Sequence, residues 1–399
     1  MKHLIDRISE QEPAPPAAPD DRKSNDEDLK RLLESLQPNI AVFGCGGCGS
    51  NTVARLTSEG LFARERVKGV AINTDAQHLL RVDVAEKMLI GRSARGRGAG
   101  GDPEKGEQAA FESESMLVKE AEGCDLAFIT AGLGGGTGTG SAHVLARLCK
   151  TAGALTIAIV TYPFSSEGSL RKQNADWGLE RLTEVCDTVI VLPNERLLSV
   201  EGVRDLPLDA AFRVADELLL QSIRGVSDMI AKEGIVNLDF EDLRSVMMNG
   251  GGVAMIGHGE ATGGDRIRIA TEEALSSPLL DIDVSNARGA LINVVGGGDL
   301  TLGEAEECAN LIGRRIDPHA RIIWGATTDP TQQDGYVRVL VVLTGVRSEQ
   351  IHGSSNRPNI IDARTSLSSL LGEQNLKAVS ACLNGLHRSV GHARGEQWP

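Results

Sequence analysis

Six glycines fall between Gly132 and Gly140, in the run Gly-Leu-Gly-Gly-Gly-Thr-Gly-Thr-Gly. No other stretch constrains the fold as strongly. Ordering a glycine costs more backbone entropy than ordering any other residue, and it brings no side chain to pack. The apolar segment 125–130 precedes the run, and a helical spacing over 138–151 follows it. A flexible linker has no place between a buried strand and an amphipathic helix. The run therefore reads as backbone held against a ligand, with N–H groups and a helix N-terminus turned toward an anion. The hydroxyls of Thr137 and Thr139 can add hydrogen bonds to phosphate oxygens.

Two more glycine turns follow other strands. Gly44-Cys45-Gly46-Gly47-Cys48-Gly49-Ser50-Asn51 comes directly after the segment 39–43, with a helix expected from near Ser50. It satisfies G-x-G-x-x-G, a dinucleotide fingerprint that a ligand-free strand–helix turn can also produce. Gly96, Gly98, Gly100 and Gly101 lead into Asp102-Pro103-Glu104. An N-cap Asp102 and a Pro103 at the first helical position explain that end without any ligand. Three such turns can surround one polyphosphate. No P-loop lysine motif, kinase H-R-D or [N/T]-K-x-D guanine motif is present. Asp75, in Asn73-Thr74-Asp75, keeps a nicotinamide dinucleotide open as a rival for the first box. It does not explain the second.

The 399 residues suit about two or three domains. With 41 basic and 55 acidic residues the net charge is −14, which argues against nucleic acid as a partner. The 7 cysteines are scattered and read as reduced thiols. Cys45 and Cys48 form a Cys-x-x-Cys, but no second ligand pair is evident, so zinc and redox readings are set aside. No apolar run approaches the ~18–20 residues of a membrane span. Nor does the N-terminus resemble a signal peptide, so a soluble, cytoplasmic protein is expected. Strands are read at 39–43, 67–72, 125–130, 155–160 and 188–192, alternating with helices. That pattern implies an α/β fold with a mostly parallel sheet. A long helix over 208–231 leads to an α+β second half. Its last two strands, 321–327 and 337–343, are expected to pair antiparallel across a turn-rich loop. The expected division is a flexible extension at 1–37 with a short amphipathic helix at 25–36, a nucleotide domain at 38–207, the central helix at 208–231, a C-terminal domain at 232–347 and a variable tail at 348–399.

The second box, the first box, Asn73-Thr74-Asp75, the third turn and Asn237-Leu238-Asp239-Phe240-Glu241-Asp242 occur in an order and spacing that closely resemble the FtsZ family of the tubulin/FtsZ superfamily, over about residues 38–347. The first box and charged extension look more like archaeal members than bacterial ones. The resemblance implies a Rossmann-like GTPase domain, a long central helix and a second α+β domain. It implies GTP or GDP with Mg2+, held by Gly47, Cys48, Gly49, Ser50 and Asn51, by Gly100 and Gly101, and by Gly134, Gly135, Gly136, Thr137, Gly138, Thr139 and Gly140. Glu167 and Arg171 fall on the ribose and phosphate side, though alone they read as a surface ion pair worth ~0.3–0.5 kcal/mol. Phe212 and Asp216 fall on the base, where core packing is the plain alternative for Phe212 and Glu217 the alternative contact to Asp216. Asn237, Asp239 and Asp242 match a catalytic loop that serves the next subunit's nucleotide; helix capping alone would explain the acidic pair. The implied function is a polymerising GTPase of the cytoplasmic mid-cell division ring. Its implied partners are itself, head to tail, and membrane-tethering division proteins through the tails. A cell-shape cytoskeletal protein and a non-hydrolysing GTP-binding regulator are the rivals. The intact Asn237, Asp239 and Asp242 oppose the latter. Gly101-Asp102 stands where bacterial relatives usually have Ala-Asn, and the tail lacks a clear match to the bacterial partner-binding peptide.

Overall fold

The Val- and Ile-rich segments become strands buried on both faces, and helices cover the sheet they form. A computed structural model describes residues 38–63, 66–197, 203–231, 240–250, 252–277, 284–329 and 331–346. In chain order the elements are β1 (Ile40–Cys45), α1 (Gly46–Ser58), β2 (Val67–Asn73), α2 (Ala76–Arg81), β3 (Glu86–Leu89), α3 (Pro103–Glu112), α4 (Glu114–Ala121), β4 (Leu126–Gly132), α5 (Thr137–Thr151), β5 (Leu155–Tyr162), α6 (Ser169–Val185), β6 (Thr188–Pro193) and α7 (Asn194–Leu197). Then come α8 (Leu208–Ala231), α9 (Phe240–Gly250), β7 (Gly252–Thr262), α10 (Arg266–Leu275), β8 (Gly289–Gly296), α11 (Leu302–Gly313), β9 (Arg321–Thr328) and β10 (Tyr336–Thr344). The tails at 1–37 and 348–399, with the expected helix at 25–36, lie outside the described residues.

One sheet runs through both halves in the order β3-β2-β1-β4-β5-β6-β7-β10-β8-β9. The first six strands are parallel, in the doubly wound order that reverses direction between β1 and β4. Such a switch point leaves a crevice at the carboxyl ends of the strands. On one face, α1 and α8 cover the sheet through Val53, Leu56, Leu219, Ile223 and Val226. Leu340 and Val342 of β10 belong to that same cluster, so α8 braces both halves. On the other face, α3, α5 and α6 pack Ala109, Leu145 and Leu182 against Phe43 and Ile129. A third core lies in the C-terminal half, around Ile267, Cys308 and Ile292.

Three observations differ from the sequence reading. First, α1 begins at Gly46, not near Ser50. A Cβ on Gly44 would lie 2.2 Å from the Gly49 carbonyl oxygen, and one on Gly49 would lie 2.3 Å from the Thr130 carbonyl oxygen. Bare backbone lets the helix turn straight off its strand, so the first box is a helix start and not a loop. Second, β9 and β10 do not pair. β9 lies parallel to β8, and β10 is inserted antiparallel between β7 and β8. A strand–helix–strand unit, β8–α11–β9, places its two strands parallel, and that decides the register. Third, β3 and β7 are additional strands. β3 is short and exposes three of its four residues. β7 is interrupted by glycines; a Cβ on Gly259 would lie 2.1 Å from the Ala270 carbonyl oxygen, because α10 rests on bare strand there.

The C-terminal core is closed by a buried arginine. Arg266 donates to Glu304 from Nε (2.7 Å) and Nη2 (2.9 Å), and from Nη1 to Asp299 (2.7 Å). Glu304 also completes a capping box with Thr301 at the start of α11. These bonds to Arg266 hold the Glu304 carboxyl down at about 2, against an ordinary 4.5. A depressed carboxyl stabilises the fold above its unfolded value and loses that contribution as pH falls toward its folded value. Glu304→Gln should therefore cost about 1–3 kcal/mol at neutral pH. It should also flatten the loss of stability in urea titrations between pH 4.5 and about 2. An acid limb as steep as that of the unmodified protein would show that the carboxylate carries no such linkage.

Candidate functional site

The crevice at the β1/β4 switch point holds a cavity of about 290 Å³. Its floor is glycine backbone. Gly47 and Cys48 of the first box face Gly135, Gly136, Thr137 and Gly138 of the second across it. The two boxes touch back to back: a Cβ on Gly46 would lie 2.7 Å from the Gly138 amide nitrogen, and one on Gly138 would lie 2.8 Å from the Cys45 carbonyl oxygen. Gly46 also needs its positive φ of 74°. Helices α1 and α5 both start here, and neither has a side chain capping its first turn. Their first N–H groups are left to an external acceptor. The neighbouring helices differ. Asp75 caps α2 through Gln77 and His78, and Asp102 caps α3 through Glu104.

Other predicted residues shape this floor from behind, and of those that follow only Gly136 and Thr137 also line it. Gly49 and Ser50 are buried in α1, and Asn51 is exposed on it. Thr137 Oγ1 meets Thr74 Oγ1 at 2.6 Å. Thr139 is fully buried, and its hydroxyl accepts from the Gly134 amide at 3.0 Å. The structure thus gives Thr139 the task of folding the glycine run. The third turn rests on the second box. A Cβ on Gly136 would lie 2.8 Å from the Asp102 amide nitrogen, and one on Gly140 would lie 2.0 Å from the Pro103 carbonyl oxygen. Gly100 and Gly101 turn with φ of 63° and 78° above that contact and do not line the cavity. Asn174 Nδ2 bridges the two segments, donating to the carbonyls of Gly101 (3.0 Å) and Gly134 (3.3 Å).

The walls carry the charge. Glu167 and Arg171 line the cavity and pair with each other at 2.5 Å; Glu167 also accepts from the Phe164 amide at 2.9 Å. Asp216 lines it from α8, 3.8 Å from Arg55. Burial pushes the Asp216 carboxyl up, and Arg55 partly offsets this. Glu217 faces a different cleft, beside Glu59 and Gln221. Phe212 lies one turn before Asp216 on α8, and its side chain is outside those described. Burial pushes the thiols of Cys45 and Cys48 up to about 12, so neither is a thiolate at neutral pH. Sequence reasoning missed Thr161 and Asn194, which also line the cavity. The buried Asn194 Oδ1 has no hydrogen-bond partner, as a group awaiting a ligand donor would. Both sit at or just past the carboxyl ends of strands beside the switch point, which was the available signal.

Of the catalytic candidates, Asn237 and Asp239 lie outside the described residues. Asp242 stands in the first turn of α9 and accepts from Arg321 Nη2 at 3.1 Å, away from the cavity lining. Among the described residues, no three His, Cys, Asp or Glu side chains gather as a metal-ligand set. No described helix is long and apolar enough to cross a membrane.

Residues 39–202 match the Tubulin/FtsZ family GTPase domain, and residues 252–347 match the FtsZ family C-terminal domain. The chain is 51% identical over 329 residues to the cell division protein FtsZ of Haloferax mediterranei, covering 82% of this chain and 85% of that protein. It is 50% identical over 334 residues to cell division protein FtsZ 1 of Archaeoglobus fulgidus, covering 84% and 89%. A solved structure of an FtsZ mutant from M. jannaschii superposes with a TM-score of 0.75 at 49% identity, covering 81% of this chain and 96% of that one. The CetZ2 protofilament from Haloferax volcanii shares the fold, with a TM-score of 0.67 at 24% identity. A doubly wound sheet with two uncapped helix starts at its switch point, together with these likenesses over most of the chain, establishes that the chain belongs to the FtsZ family of GTPases.

Proposed function

We propose that the glycine-floored cavity binds GTP and that hydrolysis is completed by the neighbouring subunit of a filament that builds the division ring. The observation that carries this reading is the pair of uncapped helices, α1 and α5, meeting across bare glycine backbone. Their first-turn N–H groups would hold the phosphates, and Gly135, Gly136 and Gly138 allow the close approach. Arg171 would add charge at the rim. Asp216 would accept the N–H donors of guanine, since its carboxylate faces the cavity and Glu217 does not. Mg2+ would enter with the nucleotide's own oxygens and offset their charge. Asn237, Asp239 and Asp242 of the next subunit would orient the water that attacks the γ-phosphate.

A head-to-tail contact of this kind does not close on itself, so it propagates as a filament. Self-association has support among the relatives, for a solved FtsZ dimer from M. jannaschii is 49% identical to this chain with a TM-score of 0.75. Subunits of charge −14 must then meet like-charged neighbours, which makes assembly depend on Mg2+ and salt. The filament would work in the cytoplasm at mid-cell, tied to membrane-bound division proteins through the tails.

Three measurements test this reading. GTPase activity per molecule should rise with protein concentration, because each site needs two subunits. A specific activity constant down to the monomer would refute the shared site. Gly135 and Gly140 separate ligand from fold. A Cβ on Gly135 meets no atom within 4 Å, so Gly135→Ala should melt with the parent while losing about tenfold or more in GTP affinity. Gly140→Ala should instead be destabilised by about 1–3 kcal/mol or more, through its clash with Pro103. Unchanged GTP affinity in Gly135→Ala would move the phosphates elsewhere. Finally, Asp239→Ala should keep GTP binding while phosphate release falls by about a hundredfold. Loss of binding instead would give Asp239 a different role.

A further inference from the structure

Behind the glycine boxes, helices α3, α5 and α6 converge on one buried histidine. His143 lies on α5, two turns past Thr137, and its side chain is 6% exposed. Its Nε2 meets Glu107 Oε1 of α3 at 2.9 Å. Its Nδ1 is buried without a partner. Trp177 of α6 stands edge-on to the imidazole, with ring centroids 5.6 Å apart and an interplanar angle of 83°. The Arg181 guanidinium stacks over the Trp177 ring, 3.7 Å from its centroid. The empty Nδ1 assigns the ring proton to Nε2, so a neutral imidazole donates to a carboxylate. Burial, aided by Arg181 and Arg147, lowers the affinity of His143 for a second proton against the pull of Glu107.

This bond sits directly below the contact that sets the third turn on the second box. One turn nearer the cavity, Gly140 touches the backbone of Pro103 and Glu107; Gly106 touches the Gly136 carbonyl, 2.3 Å from where a Cβ would be. Backbone laid on glycine packs closely but has no interlocking side chains, so it resists sliding and rotation weakly. A charge-assisted hydrogen bond is directional and fixes what the glycines leave free. The part that would move is the start of α3 together with the turn that leads into it, Gly100, Gly101 and the N-cap Asp102. Asn174 holds the opposite side of that turn.

We propose that His143 and Glu107 are positioning residues for nucleotide binding: their hydrogen bond fixes α3 against α5 and so holds the Gly100–Asp102 turn over the phosphate floor. Neither residue touches the cavity. The proposal rests on the cavity being the GTP site.

The test measures equilibrium binding of a fluorescent GTP analogue at protein concentrations below assembly, kcat at saturating GTP, and melting temperature. The variants are His143→Ala, His143→Gln and Glu107→Ala. Glutamine can present an amide Nε2–H where the imidazole Nε2–H stands. Both alanine variants should bind the analogue about tenfold more weakly, with kcat within about twofold of the parent. His143→Gln should recover most of the lost affinity. Should His143→Ala fail to fold, Glu107→Ala decides, because the Glu107 side chain is 29% exposed and lies outside the apolar core clusters. Parent-like affinity in Glu107→Ala, or a His143→Gln variant no better than His143→Ala, overturns the positioning role while leaving the GTP site intact. An unmodified protein that binds no guanine nucleotide at all takes down both.

Discussion

Direct contact between backbones at the β1/β4 switch point is the constraint from which the rest of the N-terminal half follows. Gly46 touches Gly138, Gly49 touches Thr130, Gly136 touches Asp102, and Gly140 touches Pro103. Each contact excludes a methyl group. Together they bring the starts of α1, α3 and α5 to one place. Ordering so many glycines is costly, and packing alone offers nothing to offset it, since these residues add no apolar side-chain area. In the proposed binding mode the offset is electrostatic: two helix N-termini focus on one point, where a polyphosphate would supply the missing acceptors. α4, α6 and α10 also start without a side-chain cap, so what sets α1 and α5 apart is that their starts meet over bare glycine backbone.

The strands most legible from sequence were those buried on both faces, such as β1, β5 and β6, because a continuous Val- and Ile-rich run has few other fates. The central helix was read at 208–231, its observed extent, because its apolar stripe runs unbroken through Leu219, Ile223 and Val226. β3 was hidden because it is an edge strand with one buried residue. β7 was hidden because glycines interrupt its pattern to admit α10. The pairing of β9 and β10 misled because a turn-rich connection looks like a hairpin whether or not the chain inserts its last strand one place away. Sequence carries local periodicity well and strand order poorly, since order is decided by contacts far apart in the chain.

Site residues follow the same logic. The glycine boxes were legible because their composition is hard to explain any other way. The separate tasks within them were not. Thr137 and Thr139 look equivalent in the sequence, yet one lines the cavity and the other is sealed under it, holding Gly134. Asn194 was invisible because a single asparagine after Pro193 has no pattern; only its position at the end of β6 gives it meaning. Asp216 and Glu217 are alike by type, but the helix turns them toward different cavities. Adjacent residues on a helix point about 100° apart, so one faces the glycine floor and the other the cleft beside Glu59.

That helix also bears on why hydrolysis would need two subunits. α8 packs on the nucleotide half through Leu219 and Ile223 and joins the same core as Leu340 of β10. Asp216 lies near its start, and the segment carrying Asn237 and Asp239 follows its last residue, Ala231. Fifteen helical residues separate Asp216 from that end, about 22 Å at 1.5 Å per residue. Asp242 lies further along, paired with Arg321 of β9 on the C-terminal half. Asp242, the described member of the acidic set, is thus held on the C-terminal half, away from its own subunit's cavity. In the proposed filament a second subunit stacked head to tail would bring the two chemistries together, and activity and assembly would then be the same event.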